Sequence, residues 1–387
     1  MTDLKNLFLL DPEYRHLNHG SFGACPKPIF EDYQKWQLKL EQQPVDFFVN
    51  KGNIQLQKSK EALAKFIHCD ADNLVFTTNP TYAINIIAKG LNLQEGDEIL
   101  ATNQEYGALD RTWNYYCKKV GAKYVQQEIR LPIQSKEQMI ADFWKGYTEK
   151  TKAIFISQIT SMTALIFPVE EICKKAKELG LLTIVDGAHV PGHIPLNLQT
   201  LQADIYTGAC HKWMMTPKGC SFLYVHPEIQ NDFDPVIISW GYESEVPGKS
   251  KFLDYHQQQG TRDYSAFLTV PSAIEFMEKH DWWNVSERCK KMLRDNYESI
   301  CAIFGTQPIC PIESTFLGQI ASVPVPIDDP MPLKKELFET YKIEIPVFKL
   351  RDQVYLRFST QAYVSQEDLD YLKEALIRIR ETTAILN

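Results

Sequence analysis

Between residues 74 and 225 the chain alternates short β-rich runs with stretches of helical period, and this alternation constrains the fold most. Candidate strands are Leu74–Thr77, Glu98–Ala101, Lys123–Gln127, Ala153–Ser157, Leu182–Val185, Ile205–Thr207 and Ser221–Val225. Helical segments lie between them near Thr81–Leu91, Gly107–Val120, Lys136–Tyr147 and Val169–Leu179. In the last, Ile172, Ala176 and Leu179 share one face, Lys174, Lys175 and Glu178 the other, and Gly180 supplies the stop. Strands separated in this way predict an α/β fold, a three-layer, mainly parallel sheet with helices on both faces.

After about Ser265 the rhythm changes to long amphipathic helices over Thr269–Lys279, Val285–Phe304 and Gln366–Leu386, with sparse strands such as Val354–Phe358. The change predicts a large domain over residues 56–265. Residues 1–55 and 266–387 would form a smaller α+β domain. A chain of 387 residues with 44% hydrophobic content has material for a large core and for two or three domains. Its net charge of −8 is spread over mixed acidic and basic residues, which predicts neither a nucleic-acid partner nor a polybasic membrane anchor. The most apolar stretch, Ala153 to Pro168, is broken by Ser157, Gln158, Thr160, Ser161 and Thr163. It reads as a buried strand leaving into a polar loop, not as a membrane span. The apolar run after Met1-Thr2-Asp3-Leu4-Lys5 is too short for a signal peptide. Nine scattered cysteines without a Cys-x-x-Cys pair predict reduced thiols and a cytoplasmic location.

Asp186 ends the apolar run Leu181-Leu182-Thr183-Ile184-Val185, which puts it at the carboxyl edge of a central strand. Ligand sites of open α/β sheets lie at that edge. A carboxylate buried there needs a partner; a protonated pyridine nitrogen, a helix N-cap and a structural salt bridge all qualify. Shortly afterwards comes Gly208-Ala209-Cys210-His211-Lys212-Trp213. A lysine amine and an acid for a ring nitrogen are what pyridoxal 5'-phosphate (PLP) requires. Thr77-Thr78-Asn79-Pro80-Thr81 falls between a strand and a helix, where hydroxyls and backbone N–H groups bind phosphate. The same residues also suit a plain N-cap. Arg357, in the strand-like Val354-Tyr355-Leu356-Arg357-Phe358-Ser359, suits an ion pair or bidentate capture of a carboxylate. Tyr106 and Trp113 suit the core, and Tyr106 also suits stacking on a conjugated ring. Asp186, His189 and His193 could be read as zinc ligands, but Val190-Pro191-Gly192 between the histidines disfavours a helical ligand face, and no metal is expected. No Gly-x-Gly-x-x-Gly or Walker-type loop occurs.

In order along the chain, these elements resemble the class V aminotransferase family of fold-type I PLP enzymes, and its isopenicillin N epimerase-like branch in particular. The resemblance runs from Leu17-Asn18-His19-Gly20-Ser21-Phe22-Gly23 through Thr78-Asn79-Pro80-Thr81, Glu105-Tyr106, Ser161 and Asp186-Gly187-Ala188-His189. It continues through His211-Lys212-Trp213 and Gly260-Thr261-Arg262-Asp263 to Leu356-Arg357-Phe358-Ser359-Thr360-Gln361-Ala362-Tyr363. It implies that Lys212 holds PLP as an internal aldimine and then serves as the α-proton base, with Asp186 on the ring nitrogen and Tyr106 stacked. His189 and Ser161 would lie near the ring hydroxyl. Asn79, Pro80, Thr81 and His211 would form the phosphate turn, Pro80 lacking one N–H donor, with Thr261 from a second subunit. Asn18 and Arg357 would receive the substrate, and the site would be shared across a homodimer.

The related desulfurases carry a nucleophilic cysteine before the substrate arginine. Tyr341-Lys342-Ile343-Glu344-Ile345-Pro346-Val347-Phe348-Lys349-Leu350 contains none, and Cys310 stands far upstream. Thr163-Ala164 replaces the branch's usual Thr-Gly, which predicts a stiffer loop. The resemblance therefore implies chemistry at the α-carbon of an amino acid through a quinonoid. Epimerisation or racemisation, C–S lysis and transamination all remain open. A zinc hydrolase and a catalytically silent PLP-fold scaffold are the alternatives from other classes.

Overall fold

The computed structural model describes residues 4–313 and 315–386; the first three residues of the N-terminal stretch considered for a leader lie outside the described residues. Seven strands form the central sheet: β1 (Leu74–Thr77), β2 (Glu98–Thr102), β3 (Lys123–Gln127), β4 (Thr151–Ser157), β5 (Leu182–Asp186), β6 (Ile205–Ala209) and β7 (Ser221–Val225). Their spatial order is β1-β7-β6-β5-β4-β2-β3. β7 runs antiparallel to both its neighbours and the remaining pairs are parallel. Helices cover both faces, so the inner strands are apolar throughout instead of alternating. β1, β2, β6 and β7 are buried at every position, whereas the edge strand β3 is half-exposed along its length.

The crossover helices follow the sequence pattern closely. The helix over Gly107–Val120 ends at Gly121, which takes a left-handed φ of 75°. One expectation fails: Leu179 does not share the buried face of Ile172 and Ala176 but is exposed. The helix stops at Glu178, and Gly180 at φ 69° turns the chain away before Leu179 can reach the sheet.

Outside this sheet, β8 (Ile320–Val325), β9 (Val347–Leu350) and β10 (Gln353–Ser359) form an antiparallel sheet with β10 in the middle. Helix Trp282–Ile303 packs against it, and helix Gln366–Thr382 packs on that helix. A short parallel pairing of Arg15–His16 with Ile343–Glu344 ties the N-terminal segment to this region. That pairing delivers Asn18 to Gly23 to the edge of the large sheet. Among the described residues no helix is long and apolar enough to cross a membrane.

Candidate active site

All the parallel strands point their carboxyl ends the same way, so the residues that follow them converge. A cavity of about 400 Å³ lies at that edge. The turn after β1 contributes Asn79, Pro80 and Thr81; the turn after β2 contributes Tyr106; β4 and its exit contribute Ser157 and Ser161. Asp186 and His189 enter from β5, His211 and Lys212 from the loop after β6, and Ser21 and Phe22 from the N-terminal segment.

Asp186 sits between Ser157 and Thr207 in register on the neighbouring strands. One carboxylate oxygen accepts the Ala188 N–H at 2.9 Å. Burial pushes its carboxyl up to about 6, while the Ala188 bond and Lys212 pull the other way. A cationic ring nitrogen would satisfy it. Gly187 allows the turn that follows, because a β-carbon there would collide with the Tyr206 ring.

Lys212 Nζ lies 3.0 Å from His189 Nε2. Burial and then the Arg357 charge bring its amine down to about 8, with Asp186 opposing. The loop that carries it is backed by Gly23, whose φ of 70° and missing β-carbon let the N-terminal segment touch the backbone of His211 and Lys212. Arg357 is buried on β10; it donates to the Ser161 carbonyl and, at 2.9 Å, to Ser21 Oγ. Burial lowers it to about 10, and no carboxylate of the described residues forms an ion pair with it. A buried guanidinium without a counter-ion is costly unless a ligand supplies one.

The predicted residues divide plainly. Asn79, Pro80, Thr81, Tyr106, Ser161, Asp186, His189, His211 and Lys212 line one cavity. Asn79 is also the N-cap of its helix, accepting from the Tyr82 N–H at 2.8 Å, with Pro80 at the first helical position. Asn18 stands one residue back: its carbonyl accepts from Ser21 Oγ, which in turn accepts from Arg357. Thr261 is exposed and outside the cavity of its own chain.

His193 is withdrawn from metal binding, since its Nε2 accepts the Gln319 N–H at 2.7 Å and its Nδ1 donates to the His189 carbonyl at 3.0 Å. Cys310 lies in a different cavity, beside Pro132 and Glu298, and among the described residues no cysteine lines the active-site cavity. Ala164 takes a φ of 61°, the left-handed conformation that a glycine would adopt more readily.

Three features had no role assigned from the sequence. Ser157 ends β4 inside the cavity. Glu105 is buried beneath it, accepting from Ser157 N–H at 2.9 Å, Ser157 Oγ at 2.5 Å and Thr102 Oγ1 at 2.6 Å. Trp213 is fully buried beside His189. The polar end of the strand signalled Ser157, and the Glu105-Tyr106 and His211-Lys212-Trp213 runs signalled the other two.

The donor set fits PLP: an amine, an acid at a strand end, a helix N-terminus for phosphate and a buried arginine for a carboxylate. The model of the family described as aminotransferase class-V matches residues 31–372, and the chain belongs to that family. PLP is the cofactor this indicates. The chain is 31% identical over 382 residues to isopenicillin N epimerase of Amycolatopsis lactamdurans, covering 95% of each protein. It is 28% identical over 422 residues to the L-cysteine desulfhydrase of Arabidopsis thaliana, covering 96% of this chain and 90% of that one. The apo cysteine desulfurase from Thermococcus onnurineus NA1 shares the fold, with a TM-score of 0.84 at 21% identity over 98% of both chains.

Proposed function

We propose that this enzyme inverts the α-carbon of an amino acid, as an epimerase or racemase. The carrying observation is that Lys212, an amine at about 8, lines the same cavity as Ser21 and Ser161, the two residues to which the buried guanidinium of Arg357 donates. When bound, PLP supplies the ring that draws charge away from the α-carbon. Arg357 holds the substrate carboxylate through its two-pronged guanidinium. Lys212 Nζ removes the α-proton, and Asp186 keeps the ring nitrogen protonated. Tyr106 supplies the second acid from a different element, the turn after β2. The 31% identity to a protein named isopenicillin N epimerase supports the same reading.

A C–S lyase is the second reading, favoured by relatives named L-cysteine desulfhydrase. Both begin with the same proton removal and part afterwards. We further propose a homodimer in which Thr261 completes the partner's site, with the exposed Ile238, Trp240 and Val246 offering apolar side chains for the contact. Incubation with single amino acids in D2O tests the reaction. Exchange of the α-proton with appearance of the opposite enantiomer supports inversion; release of ammonia and a keto acid supports the lyase. No exchange with any amino acid would leave a silent scaffold. Tyr106→Phe should depress inversion far more than α-exchange, and equal loss of both removes the second-acid role.

A further inference from the structure

We propose that Trp213 is a positioning residue that fixes the ring proton of His189 on Nε2, facing Lys212. The inference rests on the reading of Lys212 as the reactive amine. The indole N–H of Trp213 lies 3.3 Å from His189 Nδ1. An indole nitrogen only donates, so Nδ1 must offer its lone pair and the neutral ring carries its proton on Nε2. His189 is neutral because burial, Lys212 and Arg357 hold it well below the usual histidine range.

Nε2 is 3.0 Å from Lys212 Nζ. An N–H there meets the amine's lone pair and favours neutral lysine. The other tautomer would accept from the ammonium form and favour the charged one.

The indole is held firmly enough to impose this choice. His193 stacks on it at 3.9 Å between centroids and 26° between planes, and its own tautomer is set by two backbone partners. The His19 ring lies 4.8 Å away, and Ala164 and Ile320 complete the buried cluster. The charged and titratable groups facing this pair are Asp186 on β5, Arg357 on β10, and the His19 and His193 rings. His189 is thus the only group whose proton position the Trp213 N–H governs among them.

Nitrogen NMR of ¹⁵N-histidine-labelled full-length protein without cofactor reads the tautomer directly. The proposal expects His189 protonated at Nε2 and bare at Nδ1. In Trp213→Phe, proton density should move to Nδ1. The pH midpoint for capture of PLP by Lys212 should then rise on the order of one pH unit, the size of one reversed hydrogen bond. A role in packing alone would leave that midpoint in place. A wild-type proton on Nδ1, or an unchanged tautomer or midpoint in Trp213→Phe, overturns the proposal. If Trp213→Phe does not fold, the wild-type tautomer decides. Should PLP fail to bind at all, the cofactor reading of Lys212 falls, while the NMR result still judges the tautomer separately.

Discussion

Glu105 should make the fold lose stability as pH rises through the neutral range. Its carboxyl is 2% exposed and sits between Thr102 and Ser157, tying the start of the Gly107–Val120 helix to the end of β4 beside Asp186. Burial pushes it from an ordinary 4.5 up to about 8, although its bonds from Ser157 and Thr102 oppose the rise. A folded value above the unfolded one means the native state holds the proton more tightly. The contribution is therefore complete below pH 4.5 and is lost as pH climbs toward 8. Between pH 5.5 and 7.5 the linkage relation gives a loss of about 2.5 kcal/mol from this one group. Glu105→Gln mimics the protonated acid: its carbonyl can accept both Ser157 donors and its amide can donate to Thr102 Oγ1. Urea unfolding of both proteins at the two pH values isolates the effect, because every other titrating group is common to them. The wild type should lose about 2.5 kcal/mol more than Glu105→Gln over that interval. Parallel losses would mean that Glu105 ionises near its ordinary value and would refute the reasoning.

Other consequences follow from the same geometry. With Lys212 at about 8, the rate of PLP capture should rise about tenfold per pH unit below that value and level above it; a rate still climbing at pH near 10 contradicts this. Arg357→Gln should cost about 3 kcal/mol of transition-state binding, roughly a hundredfold in kcat/KM, and should move the Lys212 midpoint upward because Arg357 lowers it. His211 donates from Nδ1 to the Cys220 carbonyl at 2.9 Å, so a phosphate contact at Nε2 requires a second proton. Calorimetry of PLP binding in buffers of differing ionisation enthalpy should register proton uptake, and His211→Asn should abolish it. Trp240→Glu should dissociate the proposed dimer by light scattering; an unaltered mass would remove Trp240 from the interface.

The central sheet was legible because its strands are buried on both faces and therefore read as apolar runs of fixed length. β1, β3 and β7 have the expected bounds, and the rest differ by one or two residues. The C-terminal region was harder for a physical reason. β8 contains Pro324, which reads as a break yet sits opposite Tyr355 in the antiparallel pair, and the helix Pro330–Glu339 opens on two prolines. The N-terminal helices Lys27–Gln42 and Gly52–Ile67 also escaped, the first being polar over most of its surface with only Ile29 and Leu40 buried. Candidates carried by one strand end or one dipeptide, such as Asp186 and His211-Lys212, were readable and line the cavity. Contacts across the fold were not: the reach of Glu105 to Ser157 depends on strand register, and the Trp213–His189 bond depends on two separate turns.

The most direct test of the account is to locate the cofactor. Purified protein is incubated with PLP, reduced with borohydride and digested, and the modified peptide is identified by mass spectrometry, with Lys212→Ala in parallel. The account predicts a yellow protein that bleaches irreversibly and carries the reduced cofactor on Lys212, with no such adduct in the variant. A colourless protein, or a cofactor fixed to another lysine, would contradict it.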